Sequence, residues 1–535
     1  MRLFAAAAVA ALIVSPAAAQ DGARGQANRI IDEGFNRSQV MDTAAHLTDR
    51  IGGRLTNSPQ MRAAEGWTQQ RFRDWGLVNV HAEPFEFGRG WSIVSSSARM
   101  TSPRVVALRA IPLAWTPATG GTISAPIVVA PMDEESDFAK WRGKLAGKIV
   151  LISQPGTGSE PKEAPFLRLS DKEISELDQY RQPVHEEGRP DQRLKRRKFP
   201  LALDAFLKSE GALAWVRISA RDAGLLHGTG YTHRRGETPT LPGMELAAED
   251  YRRLARLAKT EAQPVLELTS NVRFNDEDAN AYNILADIQG SDPRAGYVMA
   301  GAHLDSWVAG DGASDNAAGS AVVMEAARIL SSLRVKPKRT IRFALWAGEE
   351  QGLLGSLAYI DRHIASRPAE TDPERSKLPM NFGWANRYPI TPKPGHRDLA
   401  AYFNIDNGSG KIRGIHAEGN VAAVPMLQEW LAPFASMGAS KVVASPTTGT
   451  DHVFLQSVGI PGYQFIQDPL DYDSRIHHTN VDTYDHLKAE DMRQAAVILA
   501  SVLLSAANSA EPLPRMPLPS KPRPTDLFAY PDDDE

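Results

Sequence analysis

Cysteine is absent from all 535 residues. That excludes disulfides, a thiol nucleophile, thiolate metal ligands and a lipid-bearing N-terminal cysteine. An excess of one charge is missing too, since 60 basic against 64 acidic residues leave a formal net charge of −4. Neither a nucleic-acid partner nor an anionic membrane surface is expected from that balance. Past the first residues, no apolar run approaches the roughly 18 to 20 residues a bilayer span requires, so no stable membrane insertion is expected. What remains is 42% hydrophobic and 23% charged, the composition of a globular chain able to form sizeable cores. The length implies two or three domains.

The opening "MRLFAAAAVAALIVSPAAAQDG" carries one arginine, an apolar run from Leu3 to Val14, then Pro16 and three alanines ending at Ala19. A short positive start, an apolar middle and small residues at the end predict a signal peptide over 1–19, hence export to a periplasm or the medium. Pro16 and the alanines argue against the alternative, a membrane anchor. An exported chain without disulfides must be held together by its core or by metal.

Residues 20–103 read as the first part of one domain. "MRAAEGWTQQRFRDWGL" has apolar spacing of three and four, and "VNVHAEPFEF" alternates as a strand does. From 104 to 270 the pattern becomes β-rich, with "APIVVAP", "GKIVLISQP", "ALAWVRIS" and "PVLELTS" set off by glycine and proline. A charged stretch at 157–199 ends in "RLKRRKF", expected to be a solvated helix or loop face. From 271 to 510 strands alternate with helices: "GYVMAGAHL", "NAAGSAVVMEAARILSSL", "RTIRFALWA", "LAAYFNID", "GYQFI" and "MRQAAVILASVLLSAA". This predicts an α/β fold, a mostly parallel, mixed sheet sandwiched by helices. Residues 511–535 read as a proline-rich, acidic tail. No internal repeat is present. "GTG" at 228–230 and "GSG" at 408–410 lack the Lys-Ser/Thr of a phosphate loop.

Ligands bind beyond the carboxyl ends of the strands in open α/β sheets, and the acids and histidines of this chain fall there. His303 and Asp305 end one predicted strand, Glu349 and Glu350 a second, and Asp406 a third. Asp315 stands where the next helix begins, and His478 sits in a loop before the last helix. His303, Asp315, Glu350, Asp406 and His478 offer two imidazoles and three carboxylates, a nitrogen and oxygen set suited to zinc, with cobalt or manganese as substitutes. Five ligands exceed one tetrahedral site that keeps a water. They suit two ions sharing a carboxylate, with Asp315 as the natural bridge. Asp305 is placed to orient the His303 imidazole. Glu349, left over beside a ligand, is free to act as the base.

At these residues the chain resembles the dinuclear zinc aminopeptidase family of clan MH, which includes secreted bacterial aminopeptidases, plasma glutamate carboxypeptidase and the glutamate carboxypeptidase II group. The motifs are "HLDS", "GASDNAAG", "WAGEEQGLLGS", "YFNIDNGSG" and "HHTNVDTYDHL", with "DRIGGRLTNSP" near residue 50 similar to the family's N-terminal segment. The resemblance implies a zinc peptidase core holding two Zn²⁺. His303 and Asp406 would bind one ion, Glu350 and His478 the other, and Asp315 would bridge them. Glu349 would be general base and acid, and Asp305 would support the metal ligands. His478, directly before the threonine, is implied over His477. The β-rich 104–270 is similar to the protease-associated domain inserted in many members. "GTDHVFLQSVGIPGYQF" resembles a pocket-shaping loop, which Asp451 and His452 would line. The expected activity is release of the N-terminal residue from peptide substrates. The alternative is a carboxypeptidase or dipeptidase on the same site. A glutaminyl-cyclase-like acyltransferase would use a single zinc, and a non-catalytic receptor would have lost ligands.

Overall fold

The computed structural model describes residues 16–520 apart from 160, 163, 179–188 and 231. The apolar run of the expected signal peptide and residues 521–535 of the tail lie outside the described residues. Among those described, no helix is long and apolar enough to cross a membrane.

Period-two alternation along the strands builds two cores on opposite faces of one sheet. Its strands are β1 (Val78–Glu86), β2 (Asn280–Ile288), β3 (Tyr297–His303), β4 (Thr340–Trp346), β5 (Leu399–Asn404), β6 (Ile412–His416), β7 (Lys441–Val443) and β8 (Gly462–Gln467). They lie in the order β1-β2-β4-β3-β5-β8-β6-β7. The central run β4-β3-β5-β8 is parallel, whereas β2 against β4 and β6 against β8 are antiparallel. Val298, Ala300 and Ala302 of β3, with Ile341, Phe343 and Leu345 of β4, enter one core. Met299, Ala344 and Trp346 enter the other. The first core is closed by α1 (Pro16–Asn36), α2 (Pro59–Asp74), α3 (Ala318–Ser332) and α4 (Ala489–Asn508). Helix α2 starts with Pro59 at its first position, and Ser58 Oγ accepts the Met61 N–H at 3.1 Å, so a free amide of its first turn is satisfied. The α/β fold, a mostly parallel but mixed sheet between helices, is therefore as expected.

A second sheet of eight strands is built between residues 90 and 275. It takes in Gly90–Ser102, ahead of the 104 boundary read from the sequence, because that strand pairs along its length with Val265–Asn275. Its faces are covered by the helix Ala248–Leu257, through Tyr251 and Leu254, and by Arg189–Ser209, through Leu203, Phe206 and Leu207. The "RLKRRKF" cluster thus belongs to a helix that buries its apolar side. Residues 511–520 lie against the first sheet's domain: Leu513 is buried there, and the Arg515 guanidinium donates to the carbonyls of His396 and Leu399.

The two sheets meet where the chain passes from β1 into the second domain. The His233 ring stacks on Phe87 at 4.0 Å between centroids, and its Nδ1 lies 2.9 Å from the Phe87 carbonyl. Gly88, at φ +136, is required here, since a Cβ would fall 2.3 Å from the His233 carbonyl. Burial pushes the His233 pKa down to about 4. The unfolded imidazole titrates near 6.5, so the unfolded chain takes the proton first. The stability of the neutral ring is whole above about pH 6.5 and is lost as pH falls towards 4. In urea titrations across that window, His233→Asn, which keeps a donor for Phe87 but cannot titrate, should give a shallower acid limb. The difference between the two limbs should approach about 3 kcal/mol at the acid end.

Candidate metal centre

His303 is the last residue of β3, and its Nδ1 lies 2.9 Å from the Asp305 backbone carbonyl. A carbonyl only accepts, so Nδ1 carries a hydrogen and Nε2 is the nitrogen turned to the site. Nε2 is 3.2 Å from Asp315 Oδ1 and 3.3 Å from Asp406 Oδ1. On the other side of Asp315, Oδ2 is 3.1 Å from His478 Nε2, which is also 2.9 Å from Glu350 Oε2. One carboxylate therefore faces two separate imidazoles, each with a further carboxylate beside it. Glu349 Oε2 lies 3.9 Å from His303 Nε2. His303, Asp315, Glu349, Glu350, Asp406 and His478 are thus brought together.

Asp315 does not sit in the helix itself. It belongs to the turn Ala313–Ala317 with extended angles, φ −126 and ψ 89, and α3 starts only at Ala318. The glycine-rich stretch is held by specific bonds. Asn316 Nδ2 donates to the Ile405 carbonyl at 2.9 Å, and its Oδ1 accepts from Gly319 N at 2.8 Å. A Cβ on Gly319 would stand 2.2 Å from that oxygen. His477 also approaches, with Nε2 3.6 Å from Asp315 Oδ2, but no bond from it to Glu350 is recorded.

Asp305 lies beside the His303 ring, as expected, and also has partners of its own. Its carboxylate is 3.7 Å from His303 Nδ1, and it accepts the amides of Glu349 at 3.2 Å and Glu350 at 3.3 Å and the Thr56 hydroxyl at 2.9 Å. Asp451 and His452 do not line the cavity: both are fully buried beneath it, and Thr450, Val453 and Phe454 take the wall.

Three supporting residues were not singled out from the sequence. The Asp482 carboxylate accepts Ser314 N at 2.7 Å and Asp315 N at 3.0 Å. Arg54, wholly buried, donates to the carbonyls of Leu304, Asp311 and Gly312, each at 2.8 Å. Thr56 completes the set through Asp305. Arg54 and Thr56 lie in "DRIGGRLTNSP" and Asp482 in "HHTNVDTYDHL", so the motifs were visible although the roles were not.

The donor set fits zinc. Ligands about 2.0–2.1 Å from a tetrahedral ion stand roughly 3.3 Å from one another, as these atoms do. Glu350 Oε1 is buried without a hydrogen-bond partner, which ordinary packing avoids. Burial pushes the Glu349 carboxyl well above its ordinary value, and burial with the Asp315 charge brings Glu350 to about 7. Burial works against a charged His303, yet the Asp406 and Glu349 charges hold its pKa well above normal. These are the signs of an acidic enclosure that favours positive charge. His303, Asp315 and Asp406 form one possible ligand group, and Asp315, His477 and His478 a second.

The centre opens into a cavity of about 600 Å³, walled also by Leu353, Asn381, Asn407, Thr450, Phe454 and Tyr472. Another cavity, of about 420 Å³, lies against Phe199, Trp215 and Leu378 and shares no lining residue with it.

Residues 283–503 match the family described as Peptidase family M28, so the resemblance read from the motifs holds over the catalytic segment. Carboxypeptidase Q of Bos taurus is 28% identical over 487 residues, covering 90% of this chain and 88% of that protein. A crystal structure of a Peptidase M28 precursor from Shewanella amazonensis SB2B superposes with a TM-score of 0.64 at 25% identity, over 94% of this chain and 100% of that one. A zinc aminopeptidase from Bacillus subtilis shares the fold, with a TM-score of 0.55 at 19% identity over 92% and 97% of the two chains. These findings support a metallo-exopeptidase, and the relatives' names divide between carboxypeptidase and aminopeptidase.

Asp482→Ala would strip the buried amides of Ser314 and Asp315 of their acceptor. Unpaired buried donors cost roughly 1–3 kcal/mol each, so denaturant unfolding of the metal-free protein should show a loss of at least about 2 kcal/mol. A loss below half of that would mean the turn finds other acceptors.

Proposed function

We propose that this chain, whose catalytic segment matches peptidase family M28, is an exported exopeptidase that releases the N-terminal residue of peptides at a centre of two zinc ions. The observation that carries the proposal is the division of one carboxylate between two imidazoles, with Asp315 Oδ1 facing His303 and Oδ2 facing His478. His303 and Asp406 would hold one ion, Glu350 and His478 the other, and Asp315 both. Zinc bound there supplies Lewis acidity, polarising a carbonyl and acidifying water.

The rest of the chemistry falls to side chains. Glu349 belongs to neither ligand pair and lines the cavity, so it takes a proton from the attacking water. As the carbon–nitrogen bond breaks, it passes that proton to the leaving nitrogen, and a carboxylate and a free amine result. Asp305 keeps Glu349 and Glu350 in register through their backbone amides. Asp315, Glu349, Glu350 and Asp406 line the cavity, and no Lys or Arg is among its described lining residues. A wall without a basic side chain offers a substrate's terminal carboxylate no such partner, which favours a substrate that presents its amino end.

One observation favours the alternative, a carboxypeptidase or dipeptidase. Arg221, from the loop after the strand Ala214–Ile218, has its Nη1 buried without a hydrogen-bond partner. Burial is the main cause of the lowered His477 pKa, and the His478 charge and then that of Arg221 add to it, so the guanidinium's field reaches this histidine. A free substrate carboxylate is the group that would complete it.

Aminoacyl-p-nitroanilides, with a free amine and no carboxylate, should be cleaved by the mature chain. Chelation should abolish the activity and zinc restore it. Glu349→Ala should lower kcat by at least about a hundredfold. If only N-blocked peptides or dipeptides with a free carboxylate are cleaved, and Arg221→Gln raises KM for those alone, the carboxypeptidase reading replaces this one.

A further inference from the structure

The charged stretch 157–199 is not used by the proposed chemistry, yet part of it is bound to the catalytic domain. Between Pro165 and Asp178 it forms a strap. Leu167 and Leu470 exchange backbone hydrogen bonds at 2.7 and 2.8 Å. Asp468 accepts from Leu169 N at 2.9 Å and from Arg168 Nη1 at 3.1 Å. The second guanidinium nitrogen of Arg168 is 2.8 Å from Asp491 Oδ2. Both carboxylates are deeply buried, with side-chain exposures of 1% and 3%. Arg413 joins the two parts from the other side, bonding the Leu169 carbonyl and, at 3.0 Å, Asp468. Ile174 is buried against Val443 and Ile466, and Ser474 Oγ donates to the Pro165 carbonyl at 3.2 Å.

The segment so held leads into the metal centre. Leu470 is followed by Asp471, which accepts from Arg475 and lies 2.7 Å from His486 Nδ1. Tyr472 lines the cavity, and its ring lies 4.8 Å from that of His477. His477 in turn lies against His478 at 3.8 Å between centroids. His478 itself has φ +60, a conformation a non-glycine residue keeps only where its surroundings impose it.

We propose that Arg168 is a positioning residue for His478. By pairing Asp468 and Asp491 it fixes residues 468–478, and with them the imidazole that completes one side of the centre. The second domain thereby takes part in metal binding without supplying a ligand. The proposal rests on the reading of His478 as a ligand, and its test is separable from that reading.

The full chain should be compared as wild type, Arg168→Gln, Arg168→Lys and Lys172→Gln, the last being an exposed control on the same strap. Zinc affinity is read by competition with a chelator, alongside kcat, KM and amide hydrogen exchange. Arg168→Gln should bind zinc about tenfold more weakly, lower kcat with KM little changed, and lose protection over 468–478. Arg168→Lys, whose compact ammonium cannot span two carboxylates, should recover only part. Lys172→Gln should match the wild type. Unchanged zinc affinity in Arg168→Gln overturns the proposal, as does protection lost evenly along the chain. If Arg168→Gln does not fold, the same two readings on Arg168→Lys decide. A wild type that binds no zinc also overturns it. A wild type that binds zinc but cleaves no peptide end overturns the proposed function alone, and the zinc comparison still decides the strap.

Discussion

Carboxylates crowded into a space with little water are the constraint on which the rest of this structure depends. Asp315, Glu349, Glu350 and Asp406 meet at one end of the parallel strands, with Asp305 and Asp451 buried just behind them. Like charges so placed repel strongly at low dielectric, and two imidazoles do not balance them. Such a cluster persists only when its backbone is fixed by groups outside it and when cations complete it. The sheet delivers His303, Glu349, Glu350 and Asp406 to one place, because β3, β4 and β5 are parallel and end together, while a turn and a loop bring Asp315 and His478.

The fixing is done by residues with no claim to chemistry. Asp305 faces away from the cavity and gathers the amides of Glu349 and Glu350, while Asp482 gathers those of Ser314 and Asp315. Arg54 closes the loop between β3 and the Asp315 turn with hydrogen bonds to its carbonyls. Burial lowers the Arg54 pKa only to about 10, so it stays cationic at neutral pH and offsets part of the local negative charge. Asp305 and Asp482 accept peptide amides and Arg54 donates to peptide carbonyls, so the carboxylates of the cluster keep their inner side for the two imidazoles and a cation. The buried Glu350 Oε1, without a hydrogen-bond partner, is the visible result.

The sequence made the strand ends legible because an apolar run stopping at His-x-Asp or at Glu-Glu is an abrupt change of chemistry. The α/β layering followed from the alternation of β-branched runs with helical spacing. Arg54, Thr56 and Asp482 were legible as letters in motifs but not as roles. Their partners stand far off in the chain, 258 positions from Arg54 to Gly312 and 168 from Asp482 to Ser314. No local periodicity reports a contact of that span. The same reason hid the strap: "PFLRLSDKEISELD" has the composition of a solvated segment. Only the fold shows that Arg168 reaches Asp468, 300 positions away. The start of the second sheet at Gly90 was hidden in another way, since an alternating strand does not declare which sheet it joins.

The distribution of positive charge bears on how a terminus is chosen. The described residues of the cavity wall include four carboxylates and no lysine or arginine. In the proposed centre Asp315, Glu350 and Asp406 face the ions, and two divalent charges offset the four carboxylates, so the sign of the wall alone does not choose a terminus. A basic side chain for a carboxylate end has to come from outside the wall, and Arg221, in the loop after the strand Ala214–Ile218, is the cation whose charge reaches His477. The Arg168 pairs tie the second domain to the segment that presents His477 and His478. The loop that bears both rings is thus held from outside the α/β sheet, by pairs that Arg168 makes with Asp468 and Asp491.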